Sequence, residues 1–200
     1  MSTEVLPLSL DAKHTAVVVI DLQKGITGRQ GTPLPTTTVI ANAARLLVAA
    51  RTAGAQPILV HVGGAADGSD RPRPTADEGL RMTGALPPDW SDLVPELDQQ
   101  PGDIGLTKRT WGAFASTDLE AQLKALGVTQ VVITGVATGT GVESTARQAY
   151  EAGFNVTLAI DAMTDANAEA HHYSLNQVFP KLGETGTAHD IIGLLETRGA

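Results

Sequence analysis

Five short candidate strands in this chain of 200 residues each deliver a polar residue at or near their carboxyl end. The first, "TAVVVI" (15–20), runs into Asp21, and "PILVHV" (57–62) passes through His61. "DIGLTK" (103–108) ends in Lys108, "VVITGV" (131–136) leads to Thr138 and Thr140, and "VTLAI" (156–160) reaches Asp161. A carboxylate and a lysine in one cleft form a proton-handling pair. Asp21 follows five apolar residues, so burial would raise its pKa, and an ammonium from Lys108 would lower it again. From position alone, Asp21 could equally cap the next turn, and Lys108 could equally be a solvated strand end.

The glycine-rich stretch "GVATGTG" (135–141) fits neither GxGxxG nor GxxxxGK. It does offer a strand running into a helix N-terminus with small residues at the turn, where backbone N–H groups attract an anion or a developing oxyanion. Tight packing of the turn against a sheet is compatible with the same sequence. His61 has no serine or cysteine partner by sequence and reads as a core or supporting residue. "HH" at 171–172 sits on a helix with side chains about 100° apart, which suits one metal ion poorly. No protein-bound metal is expected.

The elements that must position these residues alternate. Four of the runs are β-branched and apolar throughout, as strands buried on both faces of a parallel sheet are; "DIGLTK" is a weaker candidate and "TGTA" near 185–188 weaker still. Between them, 37–54 puts Ile40, Ala43, Leu47 and Ala50 on one stripe and stops at Gly54. Further helices are expected over 117–127, with Thr117 and Glu120 at capping-box spacing, over 143–153 and 166–179, and in the short "HDIIGLLE". The pattern predicts one α/β domain over 1–200: a three-layer α/β/α fold, Rossmann-like, with a central mostly parallel sheet. One long segment, 63–102, breaks the rhythm. Its Trp, three Arg and six Pro suit an ordered lid or a subunit contact, and Arg71, Arg73 and Arg81 could clamp a substrate carboxylate. A variable surface insertion is the other reading.

With 14 Lys and Arg against 22 Asp and Glu, the net charge of −8 disfavours a nucleic-acid partner. No apolar run approaches the ~20 residues of a membrane span. The N-terminus has Glu4 and no basic region, unlike a signal peptide, so a cytoplasmic location is expected. The absence of cysteine removes disulfides and thiolate chemistry.

Three segments in order resemble the isochorismatase-like hydrolases, also called the cysteine hydrolase superfamily. "VVVIDLQKGI" is similar to the first-strand motif with the catalytic aspartate, here Asp21. "LTKRTWGAFASTDLEAQLKALGV" is similar to the lysine motif, with Lys108 in the catalytic place. "VVITGVATGTGVESTARQAYEAGFNVTLAIDA" is similar to the nucleophile elbow, and the likeness continues through "EAHHYSLNQVFPKLGETGTAHDII". Most members read A-T-N-x-C-V, whereas this chain has Gly139 in the Asn place and Gly141 in the Cys place. Glycine there is shared by the true isochorismatases and by the YecD-type hydrolases, whose "NIGVESTAR" and "KRQWGAF" segments this chain matches more closely.

The resemblance implies a non-proline cis peptide between Val136 and Ala137, aiming the Ala137 and Gly141 N–H groups at a substrate oxygen. It also implies a substrate surface of Val136, Ala137, Thr138, Gly139, Thr140, Trp111 and Phe114, no cofactor, and a homodimer or homotetramer. The family's amidase-type zinc site is not recognisable here. Two functions follow. One is a hydrolase of a small molecule without a covalent intermediate, as in vinyl-ether (isochorismate-like) hydrolysis, with Asp21 as acid. The other is a degenerate amidase with a binding or scaffold role. Thr140 and Ser144 offer no replacement nucleophile, since neither has a base beside it and a serine one turn into a helix bonds backbone.

Overall fold

The computed structural model describes residues 8–65, 69–70, 72, 75–76 and 86–197. Arg71, Arg73 and Arg81 lie outside the described residues, so the clamp expected of them is not addressed by the structure.

In chain order the strands are β1 (Thr15–Ile20), β2 (Gln56–Val62), β3 (Ile104–Lys108), β4 (Gln130–Val136), β5 (Asn155–Thr164) and β6 (Glu184–Gly186). The helices are α1 (Lys24–Thr27), α2 (Thr36–Ala53), α3 (Leu119–Ala125), α4 (Glu143–Glu151), α5 (Ala168–Tyr173), α6 (Phe179–Leu182) and α7 (Ala188–Thr197). All six strands join one sheet in the order β3-β2-β1-β4-β5-β6, and every pairing is parallel.

Alternation along the strands divides the apolar residues between two cores. Val17, Val19, Leu59 and Val132 pack with α2 and α7 on one face. Ala16, Val18, Ile20, Val60 and Ile133 pack with α3, α4 and α6 on the other. Both faces of the sheet are therefore covered, which is why β1 reads as an unbroken apolar run. Helix α2 stops where expected, with Gly54 in the left-handed region at φ 79°.

Three expectations need correction. The Thr117/Glu120 capping box is only half formed: Thr117 Oγ1 accepts the Leu119 N–H at the start of α3 and donates to the Ala113 carbonyl, whereas Glu120 pairs with Lys124 rather than reaching back. The expected helix over 166–179 is α5, a widened π turn over Ser174–Val178, and α6. Pro180 in the first turn of α6 has no N–H to give, so the ladder cannot continue regularly through it. Strand β5 is longer than its apolar run. Between its pairings at Leu158 and Met163 it advances five residues while β4 advances two, from Ile133 to Gly135. The bulge is held by the Thr134 hydroxyl on the Ala162 carbonyl. It carries Asp161 away from the strand end, where its carboxylate accepts the Ala188 N–H at 2.6 Å at the start of α7.

Candidate active site at the sheet's switch point

In this strand order β1 lies beside both β2 and β4, and the chain reverses its direction of travel across the sheet between β1 and β4. Ligands of open parallel sheets bind beyond the carboxyl ends at such a point. Asp21 leaves the end of β1, and the Ala137–Gly141 turn leaves the end of β4.

Asp21 has φ 55°, an uncommon conformation for a residue with a side chain, and its N–H donates to the Val60 carbonyl. Lys108 belongs to edge strand β3, two strand spacings away, and its side chain spans β2 to reach the carboxylate. Nζ lies 2.8 Å from Asp21 Oδ2 and donates to the Trp111 carbonyl at 2.5 Å. Lys108 is only 2% exposed and Asp21 6%, so the pair is withheld from water. Burial pushes the Asp21 pKa up to about 6, and the Lys108 ammonium only partly opposes it. Asp21 Oδ1 is buried without a hydrogen-bond partner among the described residues, a further circumstance favouring the protonated acid.

The peptide bond between Val136 and Ala137 is cis. Thr138–Val142 then form one wide π turn before α4. Gly141 is buried at the base of this turn. A Cβ built on it would stand 3.2 Å from both Asp21 Oδ2 and the Val136 carbonyl, and 3.1 Å from Ile20 Cγ2. The turn is thus pressed against the carboxyl, with no side chain between them. Ala137, Gly139 and Thr140 are partly exposed on its outer side, while Val136 and Thr138 are buried.

The turn is less open to an anion than its sequence suggests. The Thr140 and Val142 N–H groups both donate to the Ala137 carbonyl, and the Gly139 N–H donates to Asp165 Oδ2 at 2.7 Å. Asp165, the residue after the lengthened β5, is the rim carboxylate that sequence reasoning assigned to Asp161. The available signal was "DAN", an acidic residue two before the Asn167 that caps α5. His171, 2% exposed, lies with Nδ1 2.8 Å from Thr138 Oγ1, and burial lowers its pKa.

The remaining residues divide. The Trp111 carbonyl belongs to the site, while its indole is 66% exposed. Phe114 is half-buried, and its ring packs 5.9 Å from that of Phe154, which precedes the amino end of β5. His61 lies on the Leu59 face of the sheet, whereas Lys108 lies on the Leu106 face. Its Nε2 is 2.6 Å from Thr107 Oγ1, and burial lowers its pKa.

A six-stranded parallel sheet with a buried acid–lysine pair at its switch point has the architecture of an α/β enzyme domain, and the sequence lacks the glycine fingerprint of a dinucleotide-binding one. The Isochorismatase domain model matches residues 15–190, and the chain belongs to that family. The isochorismatase family protein YecD of Escherichia coli O157:H7 is 39% identical over 94% of this chain and all of its own length. The ureidoacrylate amidohydrolase RutB of Variovorax paradoxus is 30% identical over 93% of this chain and 83% of its own. The structure of an isochorismatase family protein from Burkholderia thailandensis superposes with a TM-score of 0.89 at 40% identity, covering 94% of this chain and 98% of that one. This chain is accordingly a hydrolase of the isochorismatase family acting on a small molecule. No helix among the described residues is long and apolar enough to cross a membrane.

Proposed function

We propose that this hydrolase works without a covalent intermediate, with Asp21 as general acid, and that its substrate is a small vinyl ether. The observation that carries the reading is the nearness of the Gly141 turn to Asp21: a Cβ at Gly141 would stand 3.2 Å from Asp21 Oδ2, and where a nucleophilic side chain would reach toward that carboxyl there is none. Among nearby hydroxyls, Thr145 Oγ1 donates to the Gly141 carbonyl, and Thr140 Oγ1 points back to the Ala137 carbonyl. Neither is paired with a base.

The chemistry then needs an acid and a place for positive charge. Asp21 delivers its proton to the terminal carbon of the vinyl group, giving an oxocarbenium ion. Water adds to the carbon that bears the ether oxygen and gives up a proton to the Asp21 carboxylate, and the neutral hemiketal collapses to a carbonyl compound and an alcohol, its hydroxyl proton ending on the leaving oxygen. Lys108 holds the carboxylate while the proton is away. A carboxyl titrating at about 6 is a competent acid near neutral pH, and positioned acid catalysis supplies ~10²–10⁴-fold.

The test is turnover of a panel of small vinyl ethers and amides, with mass spectrometry of the quenched protein. Vinyl-ether cleavage with no adduct is expected. Amide hydrolysis, or a trapped acyl group, would overturn the reading, and silence toward the whole panel would favour the binding or scaffold role.

A further inference from the structure

We propose that Asp165 is the positioning residue of this site: through the Gly139 N–H it holds the Ala137–Gly141 turn against Asp21. The inference rests on reading that turn as the wall that faces substrate.

The turn has little means of fixing itself. Two of its five residues are glycine, which leaves the backbone more freedom than any other residue. Its backbone follows the wide π pattern, a rare geometry met mostly as single turns. Two side chains from beyond β5 grip it instead. Asp165 Oδ2 takes the Gly139 N–H at 2.7 Å, and His171 meets the Thr138 hydroxyl at 2.8 Å.

Asp165 is itself tightly held. Oδ1 accepts the Ala166 and Asn167 N–H groups at 2.7 and 3.1 Å, so the carboxylate bonds three backbone donors. Its backbone exchanges both hydrogen bonds with Thr32, at 2.7 and 3.1 Å. Thr32 lies on the segment that begins at Asp21 and passes through α1. A closed ring of contacts results: Asp21 to Thr32 along the chain, Thr32 to Asp165, Asp165 to Gly139, and Gly141 back to Asp21. Bonds from a carboxylate to backbone N–H groups are about twice as strong as neutral ones. Gly139 has no side chain with which to anchor the turn itself, and the bond from outside supplies that anchor.

The reporter is the titration of Asp21, followed through its side-chain carboxyl carbon by NMR and assigned with Asp21→Asn. If Asp165 keeps the turn closed, Asp165→Ala lets water reach Asp21, and its midpoint falls from about 6 toward the ordinary 3.8, by roughly one pH unit or more. Arg51→Ala is the control. It removes the remote Arg51–Asp103 pair and should leave the midpoint in place, which separates positioning from general loss of stability. An unmoved midpoint in a folded Asp165→Ala protein overturns the proposal. Should that variant not fold, amide exchange in the wild-type protein decides: Gly139 should be strongly protected, and exchange at the rate of a free amide overturns the proposal. Neither measurement uses a substrate, so a silent substrate panel and a failed clamp are distinguishable.

Discussion

At the scale of single residues the Asp21–Lys108 pair sets both chemistry and stability. The Asp21 pKa lies above its unfolded value of 3.8, so between 3.8 and about 6 the native chain holds a proton that the unfolded chain has released. Rising pH through that window therefore costs stability, and the cost is complete above it. Activity carried by the protonated acid should be level below about 6 and fall tenfold per pH unit above it, measured as kcat/KM against pH. Asp21→Asn should abolish turnover, and a variant retaining the wild-type rate would remove the acid role. Asp21→Asn also strands the buried Lys108 ammonium on one carbonyl, at an expected loss of ~3 kcal/mol. Lys108→Met leaves Asp21 free to be neutral and should cost less. In urea melts the double variant should be more stable than the sum of single losses predicts by ~1–3 kcal/mol, and strict additivity would show that the pair is not coupled.

At the scale of elements, the legible parts were those whose burial is uniform. Strands β1, β2 and β4 are covered on both faces, so each reads as an apolar run, and the place of Asp21 follows from that; β3 is a half-exposed edge strand, and Lys108 was legible chiefly through the lysine motif it resembles. The bulge in β5 was not legible, because no local pattern shows that Asp161 is spent on the start of α7; the rim carboxylate was misplaced by four residues as a result. Close approach of β4 to β1 depends on Gly135, whose φ is 118° and whose added Cβ would run into the Ile20 carbonyl. Gly135→Ala should lose more than ~3 kcal/mol in chemical denaturation, and a loss under 1 kcal/mol would mean the strands can part freely. The Gly141 turn admits a sharper probe. Gly141 is not at positive φ, and its neighbours need give only a few tenths of an ångström to admit a Cβ. The thiol introduced by Gly141→Cys would sit near the Lys108 ammonium and the turn's N–H groups, which favour thiolate, while Asp21 and burial oppose it. The expected net is alkylation titrating below the ordinary ~8.5, and a midpoint at that value would show that the turn has lost nucleophile-ready geometry.

At the scale of the whole molecule, the aromatic residues show which surfaces the chain uses for itself and which it leaves bare. Trp90, in the long segment after β2, is spent internally: it lies over Gly25, where any Cβ would meet the indole, and the Gly25 N–H donates to its carbonyl. Trp111, Tyr150 and Tyr173 remain 66%, 54% and 64% exposed. Trp111 neighbours the Lys108 site, Tyr150 lies on α4, and Tyr173 lies on α5. Large aromatics are enriched in the buried parts of protein interfaces, and closed symmetric assemblies are the common arrangement for such enzymes. We expect a second copy of the chain to cover one or more of these exposed aromatics, as a homodimer or homotetramer. Light scattering should return a mass of two or four times 20.7 kDa at micromolar concentration, and Trp111→Asp should lower it if Trp111 lies within the contact. A mass of 20.7 kDa across that range would leave these aromatics without a protein partner of their own kind and overturn the expectation.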